Sequence, residues 1–400
     1  MINRRQVVQG LGAGIAAASL DPSSLFANTA DRPKVKVGII GHTGRGNYGH
    51  GLDVCWRAME DEAEIVGVAD ADDAGRTAAQ TRLRAPKAFA DYLQLLDETK
   101  PDIVSIGPRH PDQHRDMFLA AAERGIHAYM EKPMCRTPAE ADDMVAACEK
   151  HNVKLAIAHI TRNSPKLDVL LGLIRDGAIG DVLELRGRGK EDARRGGGED
   201  LWVLGSHILN LIHAIGGDPA WCFATMEQDG HPVTKADVAP GNEGLGPLAG
   251  DTVHAVYGLD GGRTATFDSV RGAGTGRPSR FGLQILGSGG IIEILTGYLP
   301  QVWILQDPAW SPGRSGKTWQ PVSSAGIGQP EPIQGDTRLL GNVVACRDLI
   351  QAIRDDRQPV CDVYQGRSTV EMINAVFDSH RTGGPVKFPL KTRENALGLL

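Results

Sequence analysis

The chain has 400 residues, of which 41% are hydrophobic and 23% charged, with a net charge of -6 at pH 7 and a pI near 6.1. That composition excludes a disordered or fibrous polypeptide. The acidic balance excludes the basic field that nucleic acid or an anionic membrane surface requires of a partner.

Residues 1–30 read as an address rather than as fold. Asn3-Arg4-Arg5-Gln6-Val7-Val8 is a twin-arginine opening, followed by a mildly apolar stretch from Gly10 to Leu20 and by small residues at Ala27 and Ala30. The apolar run is too short to span a bilayer. A Tat-type signal is expected, and with it a periplasmic protein that crosses the membrane folded, its cofactor already loaded.

Lys34 to Ile40 is a β-branched run suited to a buried parallel strand. It ends in Gly41-His42-Thr43-Gly44-Arg45-Gly46, a turn that lets backbone N–H groups approach a pyrophosphate. Gly41, Thr43, Gly44, Arg45 and Gly46 are therefore candidate cofactor contacts, and a helix is expected from about Tyr48 to Met59. Glu64 to Ala69 is a second strand, closed by Asp70. A carboxylate there can accept both ribose hydroxyls of NAD and repel the 2′-phosphate of NADP, so NAD is the expected cofactor. The competing role for Asp70 is a helix cap. Strands over 102–107, 127–130 and 153–158 alternate with helices over 112–124 and 138–151. The second of these helices opens Thr137-Pro138-Ala139-Glu140, a capping box with proline at the first position. This alternation predicts a Rossmann-type, doubly wound parallel sheet over 33–160.

From about Lys166 the rhythm changes. Strands are expected over 183–188, 220–227, 252–259, 263–271, 281–286 and 290–294, several joined by glycine turns. A largely antiparallel sheet follows, within an α/β domain over 161–400. Leu201 to Ile215 reads as one helix, 299–332 as an irregular stretch holding Trp303, Trp310 and Trp319, and 339–354 and 365–380 as helices. The six cysteines show no metal-ligand spacing and read as buried thiols. No histidine pair has a metal spacing, so no metal is expected.

Glu131-Lys132-Pro133, together with the glycine-turn opening, Gly125-Ile126-His127, Gly205-Ser206-His207 and the segment 347–390, resembles the Gfo/Idh/MocA oxidoreductases. The resemblance covers the chain after residue 33. It implies a Rossmann domain followed by an α/β domain whose large open sheet holds substrate and packs against another subunit, so a homo-oligomer is expected. It implies NAD(P)-dependent chemistry on sugars, glycosides or related polyols. Lys132 and His207 become the candidate catalytic residues. Pro108, His114, Glu131 and Lys132 join the cofactor set. His159, Arg162, Lys190 and Asp200 are candidate substrate contacts. The family's Asp-x-x-x-His pattern is broken here, because Val203 stands four residues before His207. Two other functions stay open: an NAD-dependent glycoside hydrolase, and a non-catalytic sugar or cofactor sensor. Relatives that hydrolyse glycosides carry Glu-Val-Pro at the Glu-Lys-Pro position.

Overall fold

A computed structural model of the chain describes residues 33–276 and 279–400. The expected export segment lies outside the described residues. β1 (Val35–Ile40) buries its last four residues, as a strand covered on both faces must. It pairs in parallel with β2 (Ala63–Ala69) and β4 (Ile103–Ile106). With β3 (Ala88–Phe89), β5 (His127–Met130) and β6 (Leu155–Ile157) these strands form a six-stranded parallel sheet in the order β3-β2-β1-β4-β5-β6. The order reverses between β1 and β4, and doubly wound sheets bind ligands in the crevice at such a reversal.

The crossovers are α1 (Val54–Arg57), α2 (Asp73–Leu83), α3 (Tyr92–Thr99), α4 (His114–Ala122) and α5 (Pro138–His151). α1 is much shorter than the helix expected over 48–59. Gly44, Gly46, Gly49 and Gly51 all have positive φ, which a right-handed helix cannot contain, so the chain turns repeatedly before Val54. Thr137 caps α5 by accepting the Glu140 N–H at 3.2 Å. The return bond of the expected capping box falls one residue early. Glu140 takes the Arg136 N–H at 2.8 Å, where the Arg136 guanidinium also holds it.

After α6 (Pro165–Arg175) come β7 (Val182–Arg188), α7 (Gly198–Val203), α8 (Gly205–Gly216), β8 (Pro219–Gln228) and three two-residue strands, β9 (His231–Pro232), β10 (Ala239–Pro240) and β11 (Pro247–Leu248). β12 (Thr252–Leu259), β13 (Thr264–Val270), β14 (Gly282–Gly287) and β15 (Gly290–Leu295) follow. The stretch expected to be irregular holds β16 (Val302–Leu305), α9 (Pro312–Ser315), β17 (Gln320–Ser323) and β18 (Gly326–Ile327). Val302 and Ile304 point inward and Trp303 outward, a period of two hidden among Pro, Gly and Ser. α10 (Thr337–Arg354), α11 (Val363–Thr382) and β19 (Val386–Lys387) close the fold.

The second sheet has 11 strands in the order β18-β17-β16-β15-β14-β7-β13-β12-β8-β19, with β9 on β8. Every pairing in it is antiparallel except β7 with β13. α8 and α11 cover one face. The other face presents Trp221, Phe223 and Trp303, each more than a third exposed. α10 returns to the first sheet, where Val343, Cys346, Leu349 and Ile350 pack with Val37, Ile39, Trp56 and Tyr129 in one core. The segment after it also reaches back, since Ile157 N–H donates to Cys361 O at 2.9 Å. All six cysteines are free and buried, Cys55 and Cys346 with sulfurs 3.6 Å apart.

Candidate active site

β5 delivers Glu131, Lys132 and Pro133 to the crevice, with Glu131 and Lys132 almost fully buried. Lys132 Nζ donates to the Val203 carbonyl at 2.7 Å. That oxygen is available because the helix expected over 201–215 is broken in two. α7 stops at Val203, and the His207 N–H bonds Leu204 O at 3.0 Å instead of Val203 O. The last carbonyls of a helix lack internal partners and carry partial negative charge, so they attract a cation. Position 203 thus contributes a backbone oxygen to the lysine, where the family pattern contributes a carboxylate. Burial lowers the Lys132 pKa and Arg109 adds to that, against the opposing pull of Glu131 and Glu243.

His207 on α8 and His159 after β6 meet at right angles, their Nδ1 atoms 3.5 Å apart. Burial, followed by the charges of Lys132 and Arg162, pushes His159 down to about 3. Burial, then Lys132, His159 and His50, holds His207 well below the usual histidine range. Both imidazoles are therefore neutral at physiological pH.

The Glu131 carboxylate accepts three bonds: from His50 N–H at 2.8 Å, from His50 Nδ1 at 2.5 Å and from Lys132 N–H at 2.8 Å. Burial alone would raise its pKa. The His50 hydrogen bond and charge, then Lys132, outweigh burial and bring it to about 2. Asn342 on α10 donates to His50 O at 3.0 Å and accepts from Tyr129 OH at 2.7 Å. Sequence reasoning missed His50 and Asn342. The available signal for His50 was a histidine between two glycines just past the first strand. Asn342 had none, being distant in the chain and interior to a helix.

The glycine turn has one open side. At Gly44, with φ +83, an added Cβ would meet nothing within 4 Å. At Gly46 it would strike the Arg109 backbone N at 2.2 Å, so the β4–α4 loop lies directly against the turn. In that loop Arg109 Nε, His110 Nδ1 and Gln113 Nε2 are buried with no partner among the described residues. Unpaired buried donors beside an open glycine fit an anion such as a pyrophosphate. Arg45 pairs with Asp112 at 2.6 Å. His114 ties the Pro108 carbonyl, 2.7 Å away, to the Pro133 carbonyl, 2.9 Å away. Gly41 lies under the Tyr48 ring, which an added Cβ would meet at 2.2 Å.

Asp70 sits at the end of β2, 1% exposed. Its oxygens accept Thr43 N–H at 3.1 Å, Thr43 Oγ1–H at 2.7 Å, Tyr48 OH at 2.8 Å and Asp72 N–H at 3.0 Å. The helix cap belongs to Asp72, which accepts Gly75 N–H at 2.6 Å. Burial would raise the Asp70 pKa, but the bonds from Thr43, Asp72 and Tyr48 outweigh it and the net shift is downward.

The structure brings Lys132, His159 and His207 together. Arg162 lies nearby, its guanidinium donating to Asn210 Oδ1, Gln365 Oε1 and Val360 O. Lys190 is exposed and pairs with Asp192 at 3.6 Å. Asp200 is fully buried, accepting from Ser269 Oγ at 2.6 Å and Glu191 N–H at 3.1 Å, and it supports the 189–191 turn. Among the described residues no three His, Cys, Asp or Glu side chains gather as a metal site would require.

Comparison with known proteins agrees with this geometry. The D-apiose dehydrogenase of Paraburkholderia graminis is 32% identical over 193 residues, 46% of this chain and 51% of that one. The levoglucosan dehydrogenase of Pseudarthrobacter phenanthrenivorans is 24% identical over 249 residues, 56% of this chain and 63% of that one. The chain therefore matches about half to two thirds of the length of these two relatives. A levoglucosan dehydrogenase structure in complex with NADH superposes with a TM-score of 0.73 at 20% identity, over 90% of this chain and 100% of that one. An oxidoreductase domain protein from Kribbella flavida superposes with a TM-score of 0.72 at 22% identity, over 90% and 100%. Residues 35–159 match the NAD-binding Rossmann fold of the Gfo/Idh/MocA oxidoreductases, and residues 172–388 match the family's C-terminal α/β domain. With both halves accounted for, the chain belongs to the Gfo/Idh/MocA oxidoreductase family.

Proposed function

We propose that this protein is an NAD-dependent oxidoreductase that removes hydride from a hydroxyl-bearing carbon of a sugar, glycoside or related polyol. The observation that carries the reading is the meeting of Lys132 after β5, His159 after β6 and His207 on α8. NAD, when bound, supplies the hydride acceptor. Gly44, Arg109 and Gln113 would hold its pyrophosphate. The Lys132 ammonium, steadied by the Val203 carbonyl, meets the oxyanion charge that develops as hydride leaves. The two neutral imidazoles offer donor and acceptor nitrogens to substrate hydroxyls. The relatives named for apiose and levoglucosan support the carbohydrate class.

The twin-arginine opening supports a location outside the cytoplasm, and with it a cofactor that stays bound through turnover. The exposed Trp221 and Phe223 on the outer face of the second sheet support a homo-oligomer, because monomers rarely leave large apolar side chains clustered and bare. No helix among the described residues is long and apolar enough to cross a membrane.

The test begins with fluorescence of the supernatant after denaturing the purified chain, which reports retained NADH. The cofactor-loaded protein is then offered D-apiose, levoglucosan, D-glucose and myo-inositol while nicotinamide absorbance is followed. Reduction of NAD by one of these is the expected result. Release of free sugar from a glycoside with no net absorbance change would replace the dehydrogenase with a hydrolase. Binding without either would make the protein a sensor.

A further inference from the structure

Hydride removal from an alcohol needs a base for the hydroxyl proton. Val203 leaves the family's usual carboxylate–histidine pair incomplete. The side chains around the crevice that could accept this proton differ in their partners. Lys132 is engaged with the Val203 carbonyl. His159 is buried and His207 half-buried against it, both beside Lys132, and among the described residues no carboxylate bonds either ring. Among the described residues only His50 has a buried carboxylate on its ring.

We infer that His50, aligned by Glu131, is the proton acceptor of the reaction. The inference rests on the oxidoreductase reading above. Its geometry resembles a carboxylate–histidine dyad built from a loop and a strand end. Glu131 is ionised across the functional pH range, so it can only accept hydrogen bonds. His50 Nδ1, 2.5 Å away, must therefore carry the ring proton, which leaves the Nε2 lone pair as the basic site.

Every other polar atom of the residue is committed. The N–H goes to Glu131, the carbonyl to Asn342 and Nδ1 to Glu131. Nε2 has no partner among the described residues, and the side chain is 42% exposed. The flanking glycines exist for this placement. Gly49 has φ +64, and a Cβ there would strike Glu131 Cγ and Gly107 O, both at 2.5 Å. Gly51 has φ +90. Only glycine lets the loop press this closely on the β5 end. The groups that bear on His50 are Glu131 from the β5 end and His207 from α8, while α10 contributes the neutral Asn342.

In the step, the substrate O–H bond breaks and its proton passes to His50 Nε2. The C–H electron pair leaves with its hydrogen as hydride to the nicotinamide, and the carbinol becomes a carbonyl. The substrate loses two electrons, NAD gains them, and the imidazolium returns its proton to solvent at its exposed edge. Glu131 faces the positive charge formed on the ring.

His50→Asn keeps a donor at the Nδ1 position for Glu131 and removes the base. The experiment uses the full chain with NAD and whichever of D-apiose, levoglucosan, D-glucose or myo-inositol the native protein oxidises. The expected result is a fall in kcat of roughly a hundredfold or more. The NADH dissociation constant by fluorescence titration and the melting temperature should stay near native values. His50→Ala should regain part of kcat when imidazole is added. Native kcat in His50→Asn would overturn the inference. So would a loss confined to NADH affinity, which would make His50 a cofactor contact. If the native protein oxidises none of the four, the oxidoreductase reading falls first and this one with it.

Discussion

Replacing Asp70 with alanine separates two jobs that a carboxylate at the end of β2 can do. In the structure it accepts four donors: the N–H and hydroxyl of Thr43, the Tyr48 hydroxyl and the Asp72 N–H. Thr43 is only half-buried and Asp72 is exposed, so water can replace the carboxylate for three of these donors. Tyr48 is 8% exposed, and its hydroxyl would be stranded. One stranded buried donor costs about 1–3 kcal/mol, and the lost charge-assisted bonds add about 1 kcal/mol more. Asp70→Ala should therefore lower the unfolding free energy by about 2–4 kcal/mol in urea titrations, with Tyr48→Phe losing about 1 kcal/mol.

The pH dependence has a definite sign. The folded-state pKa of Asp70 lies below its ordinary value of 3.8, so its contribution is complete above that value and is lost as pH falls through the folded pKa. The difference in stability between native protein and variant should accordingly shrink below about pH 4. Because the carboxylate is spent on the glycine turn, NAD and NADP should both bind more weakly to Asp70→Ala, with their ratio unchanged in fluorescence titrations. Native stability with a shifted NAD/NADP ratio would refute this reasoning and return the carboxylate to the ribose.

Lys132→Met should leave NADH binding measurable and cut kcat on the order of a hundredfold or more, since one positioned charge is lost; a native kcat would make the lysine structural. The burial-lowered pKa of Lys132 should place the alkaline limb of the native kcat/KM profile below 10.5. Gly49→Ala should cost at least about 2 kcal/mol from left-handed strain and overpacking, read as a lower urea midpoint. Trp221→Glu with Phe223→Glu should reduce the mass measured by light scattering to that of one chain, and an unchanged mass would remove the outer sheet face from the assembly.

Much of the first sheet was legible because each parallel strand is a short apolar run closed by a turn or a cap. Thr137-Pro138 marks the start of α5 to the residue. Lys132 was legible because Glu-Lys-Pro follows such a strand directly. The glycine turn was legible as a turn but not as a shape, because glycine permits positive φ without revealing where it is used. The break between α7 and α8 frees the Val203 carbonyl for Lys132, a contact that spans more than 70 residues of chain. Local periodicity carries no trace of such a contact. The same limit hid His50, whose role is set by Glu131 and Asn342. It also scattered the charged residues after β7, where Lys190 turns to solvent and Asp200 supports its own loop.

The return of α10 has a consequence for the order in which the molecule can be made. Val343, Cys346, Leu349 and Ile350 complete a core that Val37, Ile39, Trp56 and Tyr129 began. On a ribosome working at roughly 5–20 residues per second, the interval between Ile157 and Val343 lasts about 10–40 s. For that time the nascent nucleotide-binding sheet has an uncovered apolar side, and the partner that covers it has not yet been synthesised. A fragment ending near residue 160 would keep that surface permanently, so it should aggregate where the whole chain is soluble. The second sheet is in effect an insertion, threaded into a unit that finishes folding only when the chain is nearly complete.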